Sequence, residues 1–429
     1  MRDLTLTASA INDSRGRPTV RVTLRLKRIE AVGEVPAGAS TGEDEAATVP
    51  VEQAIRNVHE VLLPLLRESK RDLGKHEDVV ALDRLLAERA GPNFRDLGAN
   101  AVLPVSRALW AAAARKAGLE LHAYLRKSEP LAAGQGRVLF YMNIFNGGLH
   151  ALKPGETLGR DRIDFQEIMV VPCAAKTYAE ALTVGDRIDQ ALKAILVGEF
   201  GAARVTRADE AGFSVGGLGD NEAAFARVVA AVERAGFTPG REVKLALDVA
   251  ASSFCAKGRY EVEGDSLTSE AMIEKLLALV ERYPGMIISV EDGLAENDWK
   301  AWPRLSAALK KHEVLTIGDD LFVTQLPRLR RGIESEAAHG ILIKVNQNGT
   351  MSGTLDVIKA ARQAGLVCVV SHRSGETLDD SIADLAYATG AFGLKTGDPQ
   401  PEIDFPDPAT WVRRRKYLRM VAIEKGAKR

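Results

Sequence analysis

Three features of the sequence predict an α/β protein in which a TIM-like (β/α)8 barrel follows a smaller α+β domain. The opening segment alternates apolar and polar residues, most clearly in TVRVTLRLK, where Val20, Val22, Leu24 and Leu26 share one face of a strand. Beyond a segment rich in Gly, Pro and small residues, KSEPLAAGQGR, short apolar runs alternate with amphipathic helical stretches, as repeated βα units require. Finally, the later runs each end in an ionisable residue.

Residues 3 to about 36 read as an antiparallel meander. Helical periodicity then takes over in VEQAIRNVHEVLLPLL, DVVALDRLLAER and NAVLPVSRALWAAAARKAG, so residues 1–133 are expected to form the α+β domain. Residues 134–429 carry eight candidate barrel strands: VLFYMNI, FQEIMVV, VKLALD, MIISVE, VLTIGDD, GILIK, VCVVSH and AFGLK. Segments such as TYAEALTVGDRIDQALKAIL and SEAMIEKLLALVERY supply the helices between them. A doubly wound sheet would want a Gly-rich phosphate fingerprint after its first strand. GGLGDN at 216–221 has neither the spacing nor the preceding strand.

The strand-end residues are Asp248, Glu291, Asp319, Lys344, His372 and Lys395, separated by 43, 28, 25, 28 and 23 residues. That is about one βα repeat each, which directs all six to the C-terminal rim, where barrel enzymes hold their active sites. Each alone has an ordinary reading, a helix cap for an Asp or a solvated tip for a Lys. Together they imply three carboxylates in one cavity. Such a cluster calls for a divalent cation, and oxygen ligands favour Mg²⁺ over Zn²⁺.

Composition excludes several classes. Over 429 residues the formal charge is −1 with the signs interspersed, leaving no footprint for nucleic acid or an acidic membrane surface. The basic run RRRK at 413–416 reads as a solvated helix face. Cys173, Cys255 and Cys368 lack any paired spacing and read as small, reduced core residues of a cytoplasmic protein. MRDLTLTASA does not read as a signal peptide, and no run approaches a membrane span.

The strings NDSRGRPTV, VPAGASTG, LGANAVLPVS, MNIFNGGLHA, FQEIMVVP, LALDVAAS, IGDDLFVT, ILIKVNQNGT and SHRSGET resemble the enolase family, in its order and over nearly the whole chain. The resemblance implies the Mg²⁺-dependent dehydration of 2-phosphoglycerate, a small phosphorylated carboxylate, by a homodimer. Lys344 matches the base that removes a proton beside the substrate carboxylate. With a reference pKa of about 10.4 it needs help from charges that stabilise the resulting dianion. Asp248, Glu291 and Asp319 match the ligands of one Mg²⁺, and Ser40 a residue that helps hold a second ion arriving with substrate. Lys395 matches a second lysine that assists the carboxylate and disfavours a proton on Lys344. Glu210, paired with Glu167, matches the acid that protonates the departing hydroxyl. Arg373 and Ser374 match phosphate contacts, and His372 and His150 substrate-side histidines.

The match has gaps. ADEAG stands where the family has GDEGG, EDG where it has EDP, and TGDP where it has TGAP, placing Asp398 near the expected pocket. The chain is longer between His150 and Glu167 and after Lys395, and shorter after Glu45. These changes leave two further readings: a specialised relative forming carboxyphosphonoenolpyruvate or a similar enol in phosphonate biosynthesis, and a binding protein that has lost the chemistry.

Overall fold

A computed structural model describes residues 1, 3–38, 42, 44–130, 136–151, 163–400 and 408–427, for 408–411 and 427 the backbone only. Ser40, residues 131–135 of the expected linker, most of the longer segment after His150 (152–162) and residues 401–407 lie outside the described residues.

The opening meander is β1 (Thr5–Asn12), β2 (Pro18–Leu26) and β3 (Ile29–Glu34), antiparallel in that order. Alternation places Val20, Val22 and Leu24 inward, fully buried against the helix Ala99–Lys116. Gly33 permits the close approach: a Cβ there would lie 2.2 Å from the Pro104 carbonyl oxygen. This domain is pinned to the barrel by Asp83, which accepts from Trp110 Nε1 and from the Ser352 amide and hydroxyl at 2.9 Å. Arg107 lies 3.5 Å from Asp379, and a bridge joins Ala37 to Gly375.

The larger unit contains β4 (Leu139–Asn146), β5 (Glu167–Val171), a short hairpin of β6 (Val205–Arg207) and β7 (Phe213–Val215), and β8 (Lys244–Asp248). A three-stranded insert, β9 (Cys255–Ala256), β10 (Arg259–Val262) and β11 (Asp265–Leu267), precedes β12 (Ile287–Glu291), β13 (Leu315–Gly318), β14 (Gly340–Ile343), β15 (Val367–Ser371) and β16 (Gly393–Lys395). Strands β4, β5, β8 and β12 to β16 form the barrel, which closes through β16 and β4. All eight runs expected from the sequence are its staves.

One feature differs from a uniform βα repeat. β5 runs antiparallel to both neighbours, β4 and β8. Glu167, the first residue of its strand, is therefore opposite Asp248, the last of its own. Reversal brings a strand-start residue to the rim where the other strands deliver their ends.

The barrel interior is packed solid by Tyr141, Met169, Val171, Ala246, Ile317, Leu342 and Val369, from six of the strands. Gly393 makes room for Tyr141, whose ring would lie 2.6 Å from an added Cβ. Outer helices begin at side-chain caps: Thr177, Asp220, Thr268 and Thr350 accept amide protons from Glu180, Ala223, Ala271 and Gly353. Among the described residues no helix is long and apolar enough to cross a membrane.

Candidate active site

The rim encloses a cavity of about 230 Å³, lined on one side by Asp248, Asp292, Asp319 and Asp320 and on the other by His150, Glu210, His372, Arg373 and Ser374, with Lys344 and Lys395 also in its wall. Asp248 and Glu291 face each other across β8 and β12. Between them sits the Lys395 ammonium, 2.8 Å from Asp248 Oδ2, 2.9 Å from Glu291 Oε1 and 3.3 Å from Glu167 Oε2. Lys344 follows β14 and donates to Asp319 Oδ2, whose other oxygen lies 3.3 Å from Gln347 Nε2.

Charge in this space is unbalanced. Burial, and after it the Asp248 charge, push Glu291 well above the usual carboxylate range; burial with Asp320 does the same to Asp292. Asp320 is lifted to about 7, by burial and then Asp319. Two ammonium groups do not neutralise this many carboxylates. The lysines are affected in the opposite sense to the sequence-based expectation for Lys344. Burial, Arg373 and Lys395 all disfavour its proton, yet Asp319 outweighs them and the amine is held as an ammonium.

The second side is built around a short loop between β6 and β7. Glu210 and Ala211 both occupy the left-handed region, with φ of 58° and 67°, whereas Ala208 is extended at −113°. Of the two alanines that replace family glycines, only Ala211 is therefore strained, at a cost of roughly 1–2 kcal/mol. Polar contacts hold the loop in place. Partly buried Arg207 donates to the Ala211 carbonyl at 2.7 Å, to Asp398 Oδ2 and Asp189 Oδ2 at 2.6 Å, and to Gln400, while the Asp398 amide donates to the Glu210 carbonyl at 3.0 Å. Asp398 thus faces Arg207 and does not line the cavity.

Burial lifts the Asp398 carboxyl well above its usual range; Arg207 opposes this and Asp189 adds to it. A neutral acceptor should serve almost as well. We expect Asp398→Asn to change unfolding free energy by less than about 1 kcal/mol, and Asp398→Ala to cost about 2 kcal/mol, the scale of a hydrogen bond to a charged group. Equal losses in denaturant melts of the two variants would show that the carboxylate charge itself matters.

Glu210 accepts from His372 Nε2 at 2.8 Å and lies 3.3 Å from the Ser374 hydroxyl. Although burial opposes ionisation, His372, His150 and Arg413 hold Glu210 well below the usual carboxylate range. Burial and the Glu210 charge lift Glu167 instead, to about 7. The resting proton of this pair thus belongs to Glu167, where the resemblance had suggested Glu210. His150 lies 3.3 Å from Glu167; burial alone would lower it, but Glu210 and Glu167 lift it to about 9.

The structure brings every described predicted residue to this rim. Sequence reasoning missed Asp292 and Asp320, which line the cavity, and also Glu45 and Arg413. Glu45 reaches over from the N-terminal domain and grips Arg373 with both oxygens, at 2.9 and 3.1 Å. Arg413, expected on a solvated helix face, is fully buried behind the cavity, as is Lys416, which donates to the Thr377 and Val412 carbonyls. The RRRK reading holds for Arg415, half exposed beside Asp380, and fails for those two, because they share the inward helix face with Tyr417 and Met420.

Comparison with known families decides the lineage. Residues 4–125 match the family profile "Enolase, N-terminal domain" and residues 138–402 match "Enolase, C-terminal TIM barrel domain". The chain belongs to the enolase family. Enolase-family membership directs attention to the acidic side of the cavity. Among the described residues, Asp292, Asp319 and Asp320 bring ligand oxygens within 4.8 Å of one another, as do His150, Glu167 and Glu210 with mixed donors. Asp319 alone of the three expected ligands falls in the all-oxygen group; Asp248 and Glu291 are spanned by Lys395. The oxygen donors and the shortage of positive charge fit a hard divalent cation such as Mg²⁺.

Proposed function

We propose that this enolase-family protein is a Mg²⁺-dependent hydro-lyase converting 2-phosphoglycerate to phosphoenolpyruvate. The observation that carries the reading is the convergence, in one cavity, of two lysines, a carboxylate cluster short of positive charge, and an arginine placed to bind an anion beside a serine.

In this reading Asp248, Glu291 and Asp319 would hold the cation, which supplies charge stabilisation to the substrate carboxylate. Lys395, which spans Asp248 and Glu291, would cede them to the cation, keep its contact with Glu167, and bind and orient that end of the substrate. Arg373 and Ser374 take the phosphoryl group, a planar fork beside a hydroxyl, with the phosphate displacing Glu45 as the anion. With Asp319 given over to the cation, burial, Arg373 and Lys395 would release the Lys344 proton to solvent, and the free amine Nζ then removes the proton from the carbon between carboxylate and phosphate, the C–H electron pair passing into the carboxylate. Departure of hydroxide from the neighbouring carbon then forms the double bond. The Glu167–Glu210 pair, with His150 between them, supplies the proton that makes the leaving group water.

Of the departures from family pattern, Asp398 is engaged in supporting the acid loop rather than in the cavity. That removes one of the arguments for a phosphonate analogue. The test is phosphoenolpyruvate formation from 2-phosphoglycerate by folded protein with Mg²⁺. Negligible turnover would eliminate the reading. Retained α-proton exchange without elimination would then point to a modified substrate, and its absence to a binding protein. A second copy of the chain is the proposed partner; a mass of 46.3 kDa in sedimentation would set that aside.

A further inference from the structure

The C-terminal helix Pro408–Ala427 places one guanidinium directly behind three consecutive residues of the cavity. Arg413 has no exposed surface. Its Nη1 lies 2.6 Å from His372 Nδ1 and 3.2 Å from the Arg373 carbonyl, and its Nη2 lies 2.8 Å from the Ser374 carbonyl. It touches all three residues from the side away from the cavity, and it does not line the cavity.

Arginine has only donors. At 2.6 Å from a guanidinium, His372 Nδ1 must therefore act as the acceptor, and the ring's single proton must reside on Nε2. That nitrogen is 2.8 Å from Glu210 Oε2, so the contact is an N–H donated to a carboxylate. We propose that Arg413 is a positioning residue for the elimination: it selects the Nε2–H tautomer of His372, which keeps Glu210 ionised and aimed, and it fixes the backbone that presents Arg373 and Ser374. The inference rests on the proposed lyase reading for its kinetic consequence and stands apart from it for the tautomer.

Two other observations agree. Burial drives the His372 pKa down to about 4 against the pull of Glu210, with Arg413 adding to the fall, so the ring is neutral and its tautomer matters. Asp209, the residue before Glu210, lies 3.9 Å from Arg413 Nη2, so the same cation also faces the acid loop.

The experiment uses the full chain with ¹⁵N-labelled histidine. In the wild type we expect His372 to show a protonated Nε2 and an unprotonated, hydrogen-bonded Nδ1. Arg413→Met, which keeps bulk without donors, should mix or invert the tautomers and lower kcat about 10- to 100-fold, the range for lost positioning of a proton-transfer group. Arg413→Lys, which can still donate to Nδ1, should restore the tautomer and much of kcat. A wild-type His372 protonated on Nδ1 or on both nitrogens overturns the proposal with no variant needed. So does a folded Arg413→Met protein whose His372 spectrum matches the wild type. Should the wild type fail to turn over 2-phosphoglycerate, the functional reading falls while the histidine spectrum still decides the role of Arg413.

Discussion

Replacing Lys344 by alanine should lower turnover by a factor of about 10² to 10⁴, the range of a lost general base, and should remove solvent deuterium exchange at the substrate's α-carbon. The exchange measurement is the sharper of the two, since it reports proton removal even when elimination is slow. Lys395 cannot take over. Its ammonium lies within 3.3 Å of three carboxylates, and although burial opposes the proton, Asp248, Glu167 and Glu291 hold its pKa well above the usual lysine value. The substitution also leaves Asp319 buried without its cation, and breaking such a pair costs about 3–5 kcal/mol. Thermal melts with saturating Mg²⁺ must therefore accompany the assay. Exchange that persists in folded Lys344→Ala protein would assign the base elsewhere.

Chelation should abolish turnover, and Mg²⁺ should restore it and raise the unfolding temperature. The reasoning is electrostatic: Glu291, Asp292 and Asp320 are all pushed upward, by burial first and then by the neighbouring carboxylates Asp248, Asp320 and Asp319 respectively, so a divalent cation relieves a repulsion present only in the folded chain. A ligand that binds the native state alone contributes about 2.7 kcal/mol at one hundred times its dissociation constant. Asp248→Asn and Asp319→Asn should blunt that stabilisation as well as activity. A melting temperature indifferent to Mg²⁺ across the millimolar range would remove the cation from the proposal.

Much of this was legible in the sequence because strand ends carry the chemistry. A run such as GILIK is buried on both faces, so its terminal lysine has one direction to go, and spacing alone directs it to the rim. Other parts were not legible, for identifiable reasons. The period-two pattern of IMVV is the same for parallel and antiparallel strands, so the reversal of β5 left no signature. Arg207 meets Asp398 across 191 residues and Glu45 meets Arg373 across 328, distances at which charge pairing has no local trace. Arg413 misled because a basic helical run usually faces water. Only its placement with Tyr417 and Met420 on one inward face could have marked it, and the adjacent arginines obscured that stripe.

The reversed stave has a practical consequence for redesign. In a barrel of parallel strands, a connection leaving the mouth must start a helix and re-enter from the far end. Here the link from Asn146 to Glu167 leaves and returns on the same face, so its length is free of barrel closure. Doubling such a link costs only about 0.6 kcal/mol in closure entropy. Grafted peptides or randomised libraries placed there would reshape the entrance while leaving the staves undisturbed.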